Sequence, residues 1–158
     1  MFLYGICPLL PFAIANAKLA YERFRTIFGG ERFQRLQARG TRVQRVLWAS
    51  TSTKNPAYRD VRYVEELIGP DTIVTAPLKT IQAFKDHGQV RRTVDTDVED
   101  ARATLAALQS FGIDYDAVTQ QLEDEGVTAF AKSYDELLAR VERKRAQLAR
   151  GAERAVGE

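Results

Sequence analysis

The residues of this chain best suited to chemistry form a polar stretch, Ser-Thr-Ser-Thr-Lys-Asn, at positions 50–55. Hydroxyl groups, backbone N–H groups and an ammonium all donate hydrogen bonds, and none of them is negative. A loop of this composition at the end of a strand therefore suits an anionic ligand. The alternative is an ordinary exposed loop, because loops rich in serine and threonine are common.

The loop follows a run that predicts a buried strand. Residues 43–49 are apolar and partly β-branched, and residues 71–77 have the same character and predict a second strand of four or five residues. Neither run alternates strictly, which is typical of strands covered on both faces. A helix between them would make a right-handed crossover and favours parallel pairing, which is α/β architecture. The apolar residues of this short helix are Tyr63, Val64, Leu67 and Ile68.

A second helix is expected directly after the second strand. Its buried stripe would consist of Leu78, Ile81 and Phe84, and it would end at His87 and Gly88. Since a helix dipole favours positive groups at its carboxyl end, we expect the His87 ring to cap the last carbonyl groups rather than to act as a base.

Apolar spacings of three and four predict further helices before the strands. One begins near Ala13 and ends at Gly29, and a short one is expected within residues 31–42. The apolar positions of the first are Ile14, Ala17, Tyr21, Phe24 and Phe28.

The carboxyl-terminal third predicts three helices after a loop over residues 89–97. The first begins at a capping box formed by Thr96 and Glu99. The second is expected to end at Gly126 and the third to begin at Val127, and residues 151–158 are expected to fray. The candidate caps of the second helix are Asp114 and Asp116.

The first twelve residues are almost entirely apolar, with a doubtful strand over Phe2–Cys7. Together with the small residues after them they imitate a signal peptide. Against this, no basic residue lies between Met1 and the apolar run, and the run is too short to span a bilayer. A small secreted or membrane-attached helical protein remains the alternative that this segment leaves open.

Composition excludes several classes of function. The 23 basic residues nearly balance the 21 acidic ones, and no basic block is interleaved with aromatics, which argues against a nucleic-acid binder. One cysteine, Cys7, excludes an internal disulfide, and Cys7 with His87 cannot form the usual zinc site. We expect no metal, no cofactor and no membrane span, in a reducing compartment such as the cytoplasm.

Two buried parallel strands do not make a stable sheet, because such sheets need further strands and helices on both faces. Either a partner chain completes the sheet, or the chain is part of a larger barrel. A TIM (β/α)₈ barrel needs about 250 residues, and the loops after its last strands commonly bind phosphate. The sequence would supply the final third of such a barrel.

Several stretches resemble the carboxyl-terminal part of transaldolases, in the bacterial branch whose seventh strand carries a Trp-Ala-Ser-Thr motif followed by Lys-Asn-Pro-Ala-Tyr. The likeness extends from Ala13 to about Arg143, and we assign residues 13–150 to it, whereas residues 1–12 do not resemble the family and suggest a truncated gene or an altered frame. The resembling stretches are residues 13–24, 44–58, 63–72, 86–88, 112–118 and 125–127.

The resemblance implies an enzyme of the pentose phosphate pathway. Transaldolases form a Schiff base between a barrel lysine and a ketose phosphate, such as fructose 6-phosphate or sedoheptulose 7-phosphate, and pass a dihydroxyacetone unit to an aldose phosphate. The family's lysine and acid/base carboxylates lie on earlier strands that have no counterpart here. We therefore expect no catalytic residue in this chain, and a chain inactive by itself.

The resemblance also implies which residues bind substrate phosphate. Ser50 matches the family's serine after strand seven, Ser52 follows it, and Lys54 stands where the family often has an arginine. A lysine still attracts phosphate as a point charge. The eighth strand departs from the family's Asn-Thr-Met-Pro, since residues 74–77 read Val-Thr-Ala-Pro.

No lysine of this chain is expected to replace the missing nucleophile, because a Schiff-base amine must be desolvated or lie beside another cation. Five lysines fall on polar helix faces or helix ends, and Lys54 is in a loop. The alternative to an incomplete transaldolase is a non-catalytic module that pairs its open strand edges with a partner chain or with itself. The five helix lysines are Lys18, Lys79, Lys85, Lys132 and Lys144.

Overall fold

The computed structural model describes residues 9–156, with side chains from 11 to 149. The described residues form two units, which are divided between Phe111 and Gly112. The doubtful strand over Phe2–Cys7 lies outside the described residues. Within the described part no helix is long and apolar enough to cross a bilayer. The first unit contains α1 (Leu9–Gly29), α2 (Glu31–Gln37), β1 (Val46–Trp48), α3 (Arg62–Glu66), β2 (Thr72–Val74), α4 (Leu78–His87) and α5 (Val98–Ser110).

The two strands pair in parallel, as the sequence predicted, with Leu47 opposite Ile73. Each strand has three residues, whereas seven were predicted for the first strand and four or five for the second. The reason is backbone conformation: Asp71, before β2, and Ser50, after β1, both have φ of 57°. A left-handed residue turns the chain out of the extended conformation and ends the ladder.

The core lies between α1 and the side of the sheet that carries Trp48. Ile14, Tyr21, Trp48, Leu67 and Val94 form one buried cluster. The Tyr21 hydroxyl donates to the carbonyl of the residue before Asp71 at 2.9 Å, so α1 is also tied to the turn before β2. Burial of these large side chains supplies the main stabilisation of the unit.

The predicted buried stripe of α4 is wrong at Leu78 and Ile81, whereas its third member, Phe84, is half-buried. Leu78 and Ile81 are 69% and 45% exposed, whereas Thr80 is 5% exposed. Thr80, Ile81 and Phe84 line a pocket together with Val74 of β2. No described element covers Leu78 and Ile81, because the sheet ends at β2.

The predicted capping box of α5 does not form. Asp97 is the N-cap residue, with φ of 55°, and it makes no side-chain cap hydrogen bond. The Thr96 hydroxyl donates instead to the carbonyl of Thr93 at 3.0 Å. The Thr96 hydroxyl, which the capping-box pattern predicted to cap α5, is thus used in a tight turn before the helix.

The second unit contains one helix, α6 (Tyr115–Val156), of 42 residues. The predicted break at Gly126 is wrong, because one glycine costs about 1 kcal/mol and a long helix tolerates it. Of the two predicted caps, Asp114 rather than Asp116 caps the start of α6. Its side chain accepts from the N–H of Ala117 at 3.1 Å. The helix continues through residues 151–156 of the expected frayed tail, and residues 157–158 lie outside the described residues.

Candidate functional site

The polar loop begins with a strained turn that is fixed to the end of β2. Ser50 has a positive φ of 57°, which is uncommon for a residue other than glycine. Thr51 is 2% exposed, and its hydroxyl donates to the carbonyl of Thr75 at 2.9 Å. In return the N–H of Thr75 donates to the carbonyl of Trp48 at 2.9 Å. The first turn of the loop is therefore held by the sheet.

The rest of the loop is ordered by its own hydrogen bonds. Lys54 Nζ donates to Ser52 Oγ at 3.1 Å, so two of the predicted site residues are in direct contact. The Asn55 side chain accepts from the N–H of Ala57 at 2.9 Å, which forms an Asx turn. Thr53 Oγ1 donates to the carbonyl of Arg59 at 3.1 Å. These bonds give the loop a defined shape without a ligand.

The loop forms one wall of an open cavity of about 570 Å³. The opposite walls come from α1 and from the crossover segment. Lys54 is the one cation among the described lining residues, and none of them carries a carboxylate. The cavity is lined by Ala13, Ala17, Trp48, Ala49, Ser50, Thr51, Ser52, Thr53, Lys54, Asn55, Tyr58, Tyr63 and Leu67.

The structure therefore brings Ser50, Ser52 and Lys54 to the surface of one cavity. Hydroxyl donors and an exposed ammonium without an adjoining carboxylate favour an anion at this surface. Sequence reasoning missed the contributions of Tyr58 and Tyr63. Tyr58 belongs to the motif itself, which was the available signal.

Arg59 is close in sequence to the loop, but its positive charge is paired with the negative charge of an acidic side chain. Its guanidinium donates to both carboxylate oxygens of Glu65 at 3.0 Å. This hydrogen bonding holds the pKa of Glu65 below its usual value. Arg62 lies over the Tyr58 ring, 5.9 Å from its centroid. Lys54 thus remains the basic side chain at the cavity wall.

Residues 74–77, where the sequence departs from the family pattern, do not line this cavity among the described residues. Thr75 contributes through its backbone, as the acceptor for Thr51.

Lys18 corrects the prediction that the helix lysines lie on polar faces. It is 5% exposed. Its Nζ donates to the carbonyl of Thr96 at 3.2 Å and lies 3.8 Å from Glu66. The side chain joins α1 to the segment before α5 and does not line the cavity. Its burial follows from tertiary packing that a helical repeat cannot show.

His87 lies at the end of α4, as predicted, but its ring does not cap the helix. The donor to the His87 carbonyl is the guanidinium of Arg59. The ring faces the carboxylates of Asp60 and Asp86 instead. In the described residues, no three His, Cys, Asp or Glu side chains are grouped as metal ligands.

The fold is mostly helical with two short parallel strands, and the loop after the first strand suits an anion. The sequence matches the family described as transaldolase/fructose-6-phosphate aldolase over residues 11–141, and the chain belongs to that family. It is 50% identical to transaldolase 1 of Streptomyces coelicolor over 130 residues, which cover 82% of this chain and 34% of that protein. It is 51% identical to the transaldolase of Acidothermus cellulolyticus over 142 residues, which cover 88% and 38%. The chain spans about a third of the length of these relatives.

Proposed function

We propose that this chain supplies the phosphate-binding end of a transaldolase active site. The observation that carries the proposal is the cavity wall formed by Ser50, Ser52 and Lys54, where hydroxyl groups and an ammonium meet without a carboxylate. Family membership supplies the substrate class, sugar phosphates. The phosphate group would accept hydrogen bonds from the hydroxyls and pair with Lys54.

The ligands in this proposal are fructose 6-phosphate and sedoheptulose 7-phosphate, in the cytoplasmic pentose phosphate pathway. Their keto group would reach the Schiff-base lysine that transaldolases carry on an earlier strand. A Schiff-base amine must be desolvated, whereas Lys54 is exposed and Lys18 is engaged by Glu66. We therefore propose that residues 1–158 by themselves bind substrate phosphate without transferring the dihydroxyacetone unit.

Binding of fructose 6-phosphate by the 158-residue chain tests the phosphate site. In Lys54→Gln the dissociation constant should rise about three- to tenfold, because a charged hydrogen bond at an exposed site is lost. Lys79→Gln is the matched control, since Lys79 is exposed on α4 and does not line the cavity. Equal affinity of the two variants would contradict the proposal.

Catalytic incompleteness is tested by transfer from fructose 6-phosphate to erythrose 4-phosphate and by borohydride trapping. We expect no transfer and no ketose-dependent adduct. Mass spectrometry of trypsin peptides would locate an adduct if one formed. A trapped lysine, above all Lys18 or Lys54, would overturn the claim of incompleteness and leave the phosphate site standing.

A second candidate function is a non-catalytic module that pairs with a chain carrying the remaining barrel strands. The observation in its favour is that Leu47 and Ile73, opposite each other in the sheet, are 50% and 38% exposed. They lie on the sheet face opposite Trp48, and within residues 9–156 no further strand pairs with the outer edge of either strand. Mixing with the first two-thirds of a related transaldolase should give a 1:1 complex, which Leu47→Lys should weaken. A folded monomer that does not bind this fragment would contradict the second candidate function.

A further inference from the structure

His87 lies between two carboxylates at the end of α4. Its Nε2 is 2.8 Å from Asp60 Oδ1, and its Nδ1 is 3.1 Å from Asp86 Oδ2. Ionised carboxylates accept hydrogen bonds and cannot donate them. A neutral imidazole has one N–H and could satisfy one of these contacts, whereas an imidazolium has two and satisfies both. The geometry therefore matches the charged ring.

The same cluster is joined to the loop that forms the cavity wall. Thr53 Oγ1 donates to the carbonyls of Arg59 and Asp60, at 3.1 and 3.4 Å. The Arg59 guanidinium donates to the carbonyl of His87 and to Glu65. We name Arg59, Asp60, Glu65, Asp86 and His87 the charged clasp. It ties the end of α4 to the segment that holds Thr53.

We propose that the charged clasp is a pH-sensitive device that fixes the loop between Thr53 and Asp60. With His87 protonated, both ring nitrogens donate and Asp60 is held against α4. Loss of the proton removes the positive charge of the ring and leaves one nitrogen with a lone pair facing a carboxylate oxygen. If Nδ1 keeps the hydrogen, the lone pair of Nε2 repels Asp60, and if Nε2 keeps it, the bond to Asp60 loses its charge assistance. In both cases Asp60, whose carbonyl accepts from Thr53, is held less firmly.

The direction of the pH dependence follows from the charges around the ring. Hydrogen bonding to Asp60, then to Asp86, raises the pKa of His87 above its ordinary 6.5. Partial desolvation and the positive charge of Arg59 oppose this rise. In return, His87 lowers the pKa of Asp60 below its ordinary 3.8. While Asp60 is ionised, the stabilisation is thus complete below pH 6.5 and is lost as the pH rises through the folded-state pKa of His87.

A proton NMR titration of the untagged 158-residue chain tests the device without ambiguity, because the sequence contains one histidine. The ring C–H signals should titrate with a midpoint above 6.5, the ordinary value. The backbone amides of Thr53, Arg59 and Asp60 should shift with the same midpoint. A ring midpoint at or below 6.5, or loop amides that do not follow the ring, would overturn the proposal.

Variants separate the clasp from general effects of pH. Asp60→Asn and Asp86→Asn should each lower the His87 midpoint, the first by more, since Asp60 has the larger effect on the pKa of the ring. His87→Gln should abolish the titration of the loop amides. Glu31→Gln removes an exposed carboxylate far from the ring in sequence and should change nothing. Loop amides that still titrate in His87→Gln would refute the device.

Sulfate provides a functional readout that rests on the proposed phosphate site, since its charge is constant near neutral pH. The chain should bind sulfate more weakly on the alkaline side of the His87 midpoint than on the acidic side. His87→Gln should lose most of this difference. If sulfate binds at neither pH, the phosphate site fails while the amide titration still decides the clasp. Equal pH dependence in both proteins would count against the clasp.

Discussion

A methyl group added at Gly69 tests the packing between the crossover and the segment before α5. A Cβ at this position would lie 2.2 Å from Val94 Cγ1 and 3.4 Å from Val94 Cβ. Both distances run from the added Cβ to side-chain atoms of Val94. Val94 belongs to the buried cluster and is 0% exposed. The shorter distance is far inside van der Waals contact, so one of the two residues must move.

The segment around Val94 has little freedom to move. The carbonyl of Ile68 accepts from the N–H groups of Thr93 and Val94, at 2.9 and 3.1 Å. The Ile68 N–H donates back to Thr93 Oγ1 at 3.2 Å. Overpacking costs about 1–3 kcal/mol, and expelling a valine costs about 1.5–3 kcal/mol. We therefore expect Gly69→Ala to lower the free energy of unfolding by about 2–3 kcal/mol.

Urea unfolding followed by the fluorescence of Trp48, the single tryptophan, provides the assay. Gly29→Ala is the control, because nothing lies within 4 Å of a Cβ there. Val94→Ala removes the clashing methyl groups, so the double variant should be more stable than the sum of the single effects predicts. A change within about 0.5 kcal/mol for Gly69→Ala, or strict additivity in the double variant, would refute the packing argument.

Two further substitutions test the anchoring of the loop and the continuity of α6. Thr51→Val should lower the free energy of unfolding by about 1 kcal/mol in the same urea assay, because the hydrogen bond to the Thr75 carbonyl is lost. Thr51→Ser keeps the hydroxyl and should therefore retain most of this stabilisation. An equal loss in both variants would show that the hydroxyl is not the anchor. Gly126→Ala should raise helicity in circular dichroism and stabilise α6 by about 1 kcal/mol, since a Cβ there meets nothing within 4 Å. Reduced helicity would indicate a break at this residue.

The strand pair was predictable because its two apolar runs flank a crossover helix. Their length was not, because Ser50 and Asp71 adopt left-handed conformations that composition does not reveal in residues other than glycine. The helix after β2 was correctly placed, yet its buried face was not. Which residues of α4 are covered depends on the neighbouring elements. The apolar periodicity alone predicted burial of Leu78 and Ile81, which are exposed.

Tertiary contacts also account for the other differences. The burial of Lys18 depends on the carbonyl of Thr96, 78 residues away in sequence. The capping box failed because the Thr96 hydroxyl is used by Thr93 in a preceding turn. The break at Gly126 failed because helix propagation outweighs the cost of one glycine.

The candidate site could be predicted in part. Ser50, Ser52 and Lys54 are close in sequence, and the structure places them on one cavity wall. What sequence could not show is the pairing of Arg59 with Glu65, which leaves Lys54 as the basic group at that wall. Nor could it show that Asp60 and Asp86 enclose the one histidine ring.

The central claim is that the loop at Ser50, Ser52 and Lys54 binds the phosphate group of a sugar phosphate. The most direct measurement is nitrogen-15 NMR of the 158-residue chain titrated with fructose 6-phosphate and, separately, with fructose. We expect the amides of these three residues to shift with fructose 6-phosphate and to stay unchanged with fructose. Equal shifts with both sugars, or shifts confined to residues outside the cavity wall, would contradict it.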